Sequence, residues 1–182
     1  MNCIILHGCS RSPGEAERIL VKEADRYWIF WVRRELERRG VEAATPTIPE
    51  HWKMEYEIFK REFEKLRVDE ETVLVGHSCT TAFLVRWLGE SGRRVKKLIL
   101  VAPWKFPRSV DLFNFEVDEG IRKRVGEIVF FTSDNESELG KRSLEIFHRA
   151  LDGEVIELPG RGHYDPDEMG PEFPELLEVI LR

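Results

Sequence analysis

A single serine lies between an apolar run and a segment with helical character. Residues 72–80 read Thr-Val-Leu-Val-Gly-His-Ser-Cys-Thr, so the β-branched run ends at Gly76 and Ser78 follows it closely. A strand that turns sharply into a helix at a serine projects the hydroxyl group above the sheet, where a base can reach it. The pattern predicts a nucleophile at Ser78, although Thr80 occupies the place of the second glycine in G-x-S-x-G.

An acid and a base follow this serine in the chain, each after a predicted strand. The apolar segment 127–131 leads into a polar loop that carries Asp134 and Glu136, and the alternating segment 154–158 leads into a glycine-flanked turn that ends at His163. The order serine, acid, histidine is that of an α/β-hydrolase triad. We therefore predict His163 as the general base, oriented by a carboxylate from the 134–136 loop.

The elements that must position these groups alternate between strand and helix along the chain. Apolar periodicity predicts strands over 2–6, 41–44, 72–77, 97–101, 127–131 and 154–158, and helices over 23–39, 54–66, 79–88, 119–125, 138–150 and 174–181. Such alternation predicts an α/β fold, a three-layer α/β/α sandwich around a mostly parallel sheet. Ligands of such sheets bind beyond the carboxyl ends of the strands, where all three predicted groups lie.

Length and charge narrow the classes of protein. A chain of 182 residues fits a single domain spanning 1–182, and its net charge of −6 with interspersed acids and bases argues against nucleic acid as a partner. No long apolar run and no signal-peptide pattern occurs, so we expect no membrane association and a cytoplasmic protein. Glutamine is absent and charged residues make up 34% of the chain, which favours a thermophilic source.

Cysteine and histidine spacing predicts no metal or redox centre. The three cysteines, Cys3, Cys9 and Cys79, show neither metal-ligand spacing nor an even disulfide framework, so we expect reduced thiols. The five histidines are scattered without an H-x-x-x-H pair, so we expect no catalytic metal. The loop after the first strand lacks the features of a P-loop or a dinucleotide fingerprint, and we expect no cofactor.

Several motifs resemble one family over nearly the whole chain. They are the opening strand with Leu6-His7-Gly8-Cys9, the turn Thr47-Ile48-Pro49, the segment 69–78 that ends Val-Gly-His-Ser, and Gly162-His163-Tyr164. Together they resemble the small α/β-hydrolase family that includes retinoblastoma-binding protein 9. The resemblance implies a minimal hydrolase core without a large cap domain, with Ser78 as nucleophile and His163 as base.

The resemblance also indicates which residue is the carboxylate of the triad. The family pattern S-D-N-D-P, laid against residues 133–137, places Glu136 where the family has an aspartate. Glutamate can orient a triad histidine, but its additional methylene group requires the loop to sit farther back. Asp134 remains the alternative acid.

The oxyanion site and the pocket complete the predicted site. The backbone N–H groups of Cys79, directly after the nucleophile, and of Cys9, after the first strand, are the expected oxyanion donors. Candidates to line a substrate pocket are His7, Trp52, Trp104 and Phe106, with the alternative that such residues are structural and cover the end of the sheet.

Two functions follow from these expectations. The first is a carboxylesterase-like serine hydrolase that cleaves small carboxylic esters or thioesters through an acyl-enzyme intermediate. The alternative is a catalytically weak hydrolase-fold protein that serves as an interaction module, although the L-x-C-x-E motif for the retinoblastoma pocket is absent. The expected partner is a small acyl substrate, and the oligomeric state is left open.

Overall fold

Six strands form one parallel sheet in the computed structural model, which describes residues 1–182. The strand order is β2-β1-β3-β4-β5-β6, and every neighbouring pair is parallel. The strands are β1 (Asn2–Leu6), β2 (Glu42–Ala44), β3 (Thr72–His77), β4 (Val95–Val101), β5 (Val125–Ser133) and β6 (Glu154–Leu158).

Helices cover both faces of this sheet. They are α1 (Pro13–Glu17), α2 (Trp28–Arg38), α3 (Tyr56–Phe63), α4 (Cys79–Ser91), α5 (Glu138–Leu151), α6 (Pro166–Met169) and α7 (Pro174–Leu181). Buried side chains of α2 and α7 share one core with the sheet, while those of α3, α4 and α5 share the other. The predicted three-layer α/β/α fold without a cap domain is confirmed. None of these helices has both the length and the apolar character needed to cross a bilayer.

The segment between β1 and α2 differs from the prediction. The expected helix over 23–39 begins only at Trp28, and residues before it form α1, a π-helical turn (Arg18–Lys22) and a 3-10 turn (Ala24–Arg26). Tyr27 has extended backbone angles, with φ −96° and ψ 116°, and so interrupts the helical path. Its side chain is thereby buried under the carboxyl end of the sheet, where it contacts the segment around the predicted nucleophile.

The other helices and strands differ from their predicted bounds by only a few residues. The helix expected over 54–66 begins later, at Tyr56, because Met54 adopts a positive φ of 52°, and it ends earlier, at Phe63. The helix expected over 119–125 is a 3-10 turn (Glu119–Lys123), and β5 begins at Val125, two residues earlier than expected.

Cys9 and Cys79 form a disulfide, with their Cα atoms 5.8 Å apart. The prediction of three reduced thiols is therefore wrong for this pair, and only Cys3, buried in β1, is free. The pairing follows from strand register, because Leu6 of β1 is paired with Gly76 of β3 and each cysteine lies three positions after its strand residue. The 70-residue separation in sequence conceals this proximity.

Candidate active site

Ser78 lies at a sharp turn between β3 and α4. Its backbone has φ 56° and ψ −124°, a conformation that a residue with a side chain rarely adopts. Backbone strain of this kind is held in place by surrounding contacts, here the hydrogen bond from Ser78 N–H to Val101 O (2.9 Å) and that from Thr81 Oγ1–H to Ser78 O (2.6 Å). The hydroxyl group of Ser78 thus lies at the carboxyl edge of the sheet, facing a cleft.

The turn at Ser78 forms although Thr80 stands where the G-x-S-x-G pattern has its second glycine, and the contacts of Gly76 and Thr80 show how. A Cβ atom on Gly76 would lie 3.0 Å from the backbone nitrogen of Thr81, so a glycine is needed where the strand meets the helix. Thr80 is fully buried, and its Oγ1 accepts a hydrogen bond from the N–H of His77 (3.0 Å). The same hydroxyl lies 2.9 Å from His77 O and 3.2 Å from Leu6 O, so its proton has an acceptor.

Ser78, His163 and Glu136 form a continuous hydrogen-bonded chain. The Oγ atom of Ser78 lies 2.8 Å from Nε2 of His163, and Nδ1 of His163 lies 2.7 Å from Oε2 of Glu136. Because a carboxylate only accepts, Nδ1 carries a proton and the neutral imidazole presents Nε2 as an acceptor to the serine hydroxyl. This is the tautomer that a histidine needs to act as a base on Ser78.

Gly140 makes room for the longer side chain of Glu136. Glu136 is buried, and a Cβ atom on Gly140, in the first turns of α5, would overlap its carboxyl group. The second carboxylate oxygen accepts a hydrogen bond from the N–H of Ser137 (2.6 Å). The additional methylene group of glutamate is thus accommodated by a missing side chain in the adjacent helix.

The ionisation of this pair follows from burial and mutual contact. Burial alone would lower the pKa of His163, but the hydrogen bond and negative charge of Glu136 outweigh it, so that the pKa of His163 is raised. Burial likewise opposes ionisation of Glu136, yet the hydrogen bond and charge of His163 hold its pKa below the ordinary value. The carboxylate therefore stays charged and stabilises the imidazolium form of His163.

Asp134 does not contact His163. Its Oδ1 accepts a hydrogen bond from Gly160 N–H (2.7 Å), and this contact is the main cause of its lowered pKa. Asn135 accepts from Gly162 N–H (2.8 Å). These two side chains therefore connect the loop after β5 to the loop after β6. The hydrogen bonds hold the loop that carries His163 next to the loop that carries Glu136.

A buried relay connects the backbone of His163 to the loop after β1. The Nε2 atom of His77 lies 2.8 Å from His163 O, its Nδ1 lies 2.5 Å from the hydroxyl of Tyr27, and that hydroxyl accepts from Gly8 N–H (3.2 Å). Burial and the charge of nearby His163 lower the pKa of His77 to about 3, so its ring is neutral. A carbonyl only accepts, so Nε2 donates and Nδ1 accepts the hydroxyl proton of Tyr27.

His7 orients the peptide that precedes Cys9. Its ring is buried and its pKa is lowered to about 3 by burial and by the adjacent His51, so it is neutral. Nδ1 donates to Gly8 O (2.8 Å), while Nε2 accepts from Ile48 N–H (3.0 Å). Because the carbonyl and N–H of a trans peptide point in opposite directions, His7 directs the N–H of Cys9 away from itself.

Cys79, the other predicted oxyanion donor, is the first residue of α4. The first N–H groups of a helix lack partners within the helix and lie at its positive end. Cys9 and Cys79 both line the cleft beside Ser78. The two residues that the sequence predicts as oxyanion donors therefore line the same cleft as Ser78.

The cleft above Ser78 has a volume of about 660 Å³. Its apolar lining residues include Ile19, Leu20, Met54, Trp104, Phe106 and Phe113. Its charged lining residues include Arg11, Glu15, Arg18, Asp165, Asp167 and Glu168. Of the pocket candidates, Trp104 and Phe106 line this cleft, and the ring of Trp104 lies 5.1 Å from that of His163.

The structure does not bring His7 and Trp52 to the cleft. His7 is buried beneath the loop after β1, and Trp52 packs edge-on against His51, 5.3 Å between ring centroids. Sequence reasoning missed Tyr27 and Gly140. Tyr27 carries no motif, whereas Gly140 is a glycine within a helical pattern, a signal that often marks a close contact. No group of three His, Cys, Asp or Glu side chains is arranged to hold a metal ion.

Solved structures with the same fold cover nearly the whole chain. The ydeN gene product of B. subtilis is 18% identical, with coverage of 99% of this chain and 96% of that one and a TM-score of 0.82. A methylesterase from Arabidopsis is 10% identical, with coverage of 100% and 98% and a TM-score of 0.64. A carboxylesterase from Nitrososphaera gargenis is 10% identical, with coverage of 99% and 88% and a TM-score of 0.64.

These identities establish a shared fold. No curated protein matches the sequence at a significant level. A family model described as serine hydrolase matches residues 21–182, which include Ser78, Glu136 and His163. The chain therefore belongs to the serine hydrolase family.

Proposed function

We propose that this protein hydrolyses small carboxylic esters or thioesters, with Ser78 as nucleophile, His163 as general base and Glu136 as the acid that orients it. The observation that carries the proposal is the chain of hydrogen bonds from Ser78 Oγ through the His163 ring to Glu136, at 2.8 and 2.7 Å, in the floor of the cleft. These distances are those required for proton transfer and for fixing the histidine tautomer.

In the first step His163 Nε2 takes the proton of Ser78 as Oγ attacks the acyl carbon. The carbonyl oxygen becomes negative, and the N–H groups of Cys9 and Cys79 stabilise it. Collapse of this intermediate expels the alcohol or thiol, which takes its proton from the imidazolium of His163. The product of this step is an ester between the acyl group and Ser78.

In the second step water releases the acyl group. His163, neutral again, takes a proton from a water molecule as that water attacks the acyl carbon of the Ser78 ester, and the imidazolium then returns the proton to Ser78 Oγ. Throughout, Glu136 stays ionised and stabilises the charged ring. Its lowered pKa supports this role.

The form of the cleft supports a small substrate with an apolar acyl part. Trp104, Phe106 and Phe113 contribute apolar surface to the cleft, and its volume of about 660 Å³ is within the range of small-molecule sites. The methylesterase and carboxylesterase among the similar structures are consistent with ester chemistry. The resemblance to the group that includes retinoblastoma-binding protein 9 stays a prediction.

The proposed location is the cytoplasm of a heat-adapted organism. Disulfides are rare in the cytosol of mesophiles, but intracellular proteins of hyperthermophiles are rich in them. The Cys9–Cys79 bond and the absence of glutamine both fit that setting. A melting midpoint within the mesophile range of about 45–65 °C contradicts the thermophilic part of the proposal.

Covalent labelling tests the nucleophile. A fluorophosphonate probe should label the native protein once, and Ser78→Ala should abolish both labelling and the hydrolysis of p-nitrophenyl acetate and butyrate. Ser91→Ala is the matched control, because Ser91 is exposed at the opposite end of α4. Labelling that persists in Ser78→Ala would show that another residue reacts.

The same assay separates hydrolysis from the alternative role as an interaction module. An interaction protein needs no reactive serine, so a native protein that neither labels nor turns over any acyl substrate supports that alternative. A series of p-nitrophenyl and thioester substrates from acetyl to octanoyl then identifies the acyl length that the cleft accepts.

A further inference from the structure

The disulfide joins the two residues whose backbone N–H groups are the proposed oxyanion donors. Cys9 lies in the loop after β1, and Cys79 begins α4 directly after Ser78. Each residue therefore contributes a backbone N–H group to the proposed oxyanion site and a sulfur atom to one covalent bond. The bond fixes the Cα atoms of both donors 5.8 Å apart.

The two ends of this bond are held very differently. Cys79 is buried, and its helix is packed beneath β3. Cys9 is half-buried in a loop, and the contacts that hold its peptide are the hydrogen bonds of Gly8 to Tyr27 and to His7. The disulfide therefore attaches the less constrained donor to the more constrained one.

Oxyanion donors act only within a narrow range of distance. A donor must lie about 2.7–3.1 Å from the position that the negative oxygen takes, and loss of one donor lowers turnover about 10²–10³-fold. A loop that moved the N–H of Cys9 by an ångström would forfeit that contact while Ser78, His163 and Glu136 remained in place.

We propose that the Cys9–Cys79 disulfide is a positioning device for catalysis: it holds the N–H groups of the loop after β1 and of α4 at the separation that stabilises the oxyanion. The proposal rests on the proposed function, because the oxyanion forms only if Ser78 attacks an acyl carbon. The bond itself does not react during turnover. The sulfur atoms act through the backbone and not as nucleophiles.

The first measurement establishes the bond in the protein as isolated. Unfolded in denaturant without reductant, the native chain should give one titratable thiol, that of Cys3, and three after treatment with dithiothreitol. In that treatment the S–S bond breaks, each sulfur gains an electron and a proton, and dithiothreitol closes into its cyclic disulfide. Three thiols without reductant would overturn the proposal.

The second measurement compares Cys9→Ser, Cys79→Ser and the double variant. Serine keeps the backbone N–H and a similar volume, so the covalent bond is lost while the proposed donor remains. We expect each variant to lose at least about tenfold in kcat with little change in KM, approaching the loss of a whole donor. The double variant should match either single variant, because all three lack the same bond.

Reductant on the native chain gives the same test without a substitution. Dithiothreitol should lower kcat of the native protein to the level of the variants, leave the variants unchanged, and be reversed by oxidised glutathione. Cys3→Ala is the control for loss of a thiol outside the site and should respond to reductant as the native chain does. Because the reduction experiment uses the native chain, it tests the proposal even where a serine variant fails to fold.

The outcomes separate this proposal from the proposed function. If Ser78 labels with a fluorophosphonate and the cysteine variants turn over at the native rate, the positioning role is refuted while the hydrolase stands. A fall in kcat that only accompanies unfolding, seen as a melting midpoint below the assay temperature, also counts against it. If Ser78→Ala still labels, the hydrolase proposal itself fails.

Discussion

The hydroxyl of Tyr27 lies 2.5 Å from Nδ1 of His77, the residue that precedes Ser78. Through this contact, two loops that are far apart in sequence share one buried hydrogen-bonded relay, from Gly8 N–H to His163 O. Gly8 precedes a proposed oxyanion donor, and His163 is the proposed base. The relay therefore couples the position of the loop that carries the proposed oxyanion donor to the position of the proposed base.

Tyr27→Phe tests this relay. The change removes one hydroxyl and leaves Gly8 N–H and His77 Nδ1 without their partner, so we expect the free energy of unfolding to fall by about 1–3 kcal/mol. We also expect kcat to fall about tenfold with little change in KM, because the loops shift relative to Ser78. Tyr56→Phe, which removes a buried hydroxyl without a hydrogen-bond partner in the core on the other face, is the control for loss of a tyrosine hydroxyl away from the site and should keep native kcat. Equal kcat in both variants would refute the coupling.

The pH dependence of kcat/KM reports the ionisation of His163. Only the neutral ring can accept the proton of Ser78, so the rate should rise with pH, with a midpoint above about 6.5 because the pKa of His163 is raised. Glu136→Gln removes the negative charge that raises it and turns an NH2 group toward one of the two donors of the native carboxylate, His163 Nδ1–H or Ser137 N–H, but leaves the burial that lowers it. The midpoint should therefore move to lower pH, and kcat should fall about 10³–10⁴-fold.

Asp134→Asn is the matched control for this variant. An asparagine at 134 can still accept the hydrogen bond of Gly160 N–H, so kcat and the pH midpoint should stay close to native. A large loss in Asp134→Asn with a small one in Glu136→Gln would reassign the acid.

The sequence was sufficient to predict the fold class because strand and helix periods alternate clearly. The predicted α/β fold and the hydrolase family are confirmed, whereas the catalytic roles of Ser78, His163 and Glu136 stay predictions that the geometry supports. Local patterns were enough to group the candidate site residues because all strands of a parallel sheet run in the same direction. The loops that follow the strands therefore lie at the same edge of the sheet.

What the sequence did not reveal depends on register and on contacts between distant segments. The Cys9–Cys79 bond follows from the pairing of Leu6 with Gly76, which no local pattern encodes. Tyr27 interrupts a segment with a helical pattern, and its hydroxyl contacts His77. Here tertiary packing overrides the local helix propensity. The same limitation applies to Trp52, whose loop position predicted a place in the cleft that it does not occupy.

Gly140→Ala tests whether the room beside Glu136 is needed. Alanine favours a helix over glycine by about 1 kcal/mol, but its Cβ would displace the carboxyl group of Glu136. We expect kcat to fall about 10²-fold from a misplaced acid, while KM changes little. Gly89→Ala, in α4, is the control, since its nearest contact would be Asp118 Cβ at 3.3 Å. Native turnover in Gly140→Ala would show that Glu136 can move without cost.

Thr80→Gly restores the usual glycine of the motif and should nevertheless weaken the protein. It removes a buried hydroxyl that accepts from His77 N–H, so we expect the free energy of unfolding to fall by about 1–3 kcal/mol in urea titrations. Thr80→Ser keeps that hydroxyl and should retain most of the stability. A glycine variant as stable as the native chain would show that the hydroxyl contributes nothing to the turn.

Lys105 should make stability depend on pH above neutrality. Its ammonium group is buried, donates to the carbonyl oxygens of Phe113 (2.9 Å) and Phe115 (2.6 Å), and has a pKa lowered to about 8, chiefly by burial and then by the charge of Arg108. The unfolded chain holds this proton to about pH 10.4. Between pH 8 and 10.4 the unfolded state therefore binds more protons, and the contribution of Lys105 to stability rises with pH.

Lys105→Met isolates that contribution. Urea unfolding of the native chain and the variant at pH 7.5, 8.5 and 9.5 should give a difference in unfolding free energy that grows with pH, by at most about 1.4 kcal/mol per unit. A neutral amine still has two N–H groups for the two carbonyls, so the wall formed by Phe113 should persist at high pH. Parallel pH profiles for the two proteins would mean that Lys105 keeps its ordinary pKa, with its charge solvated and not enclosed behind the cleft.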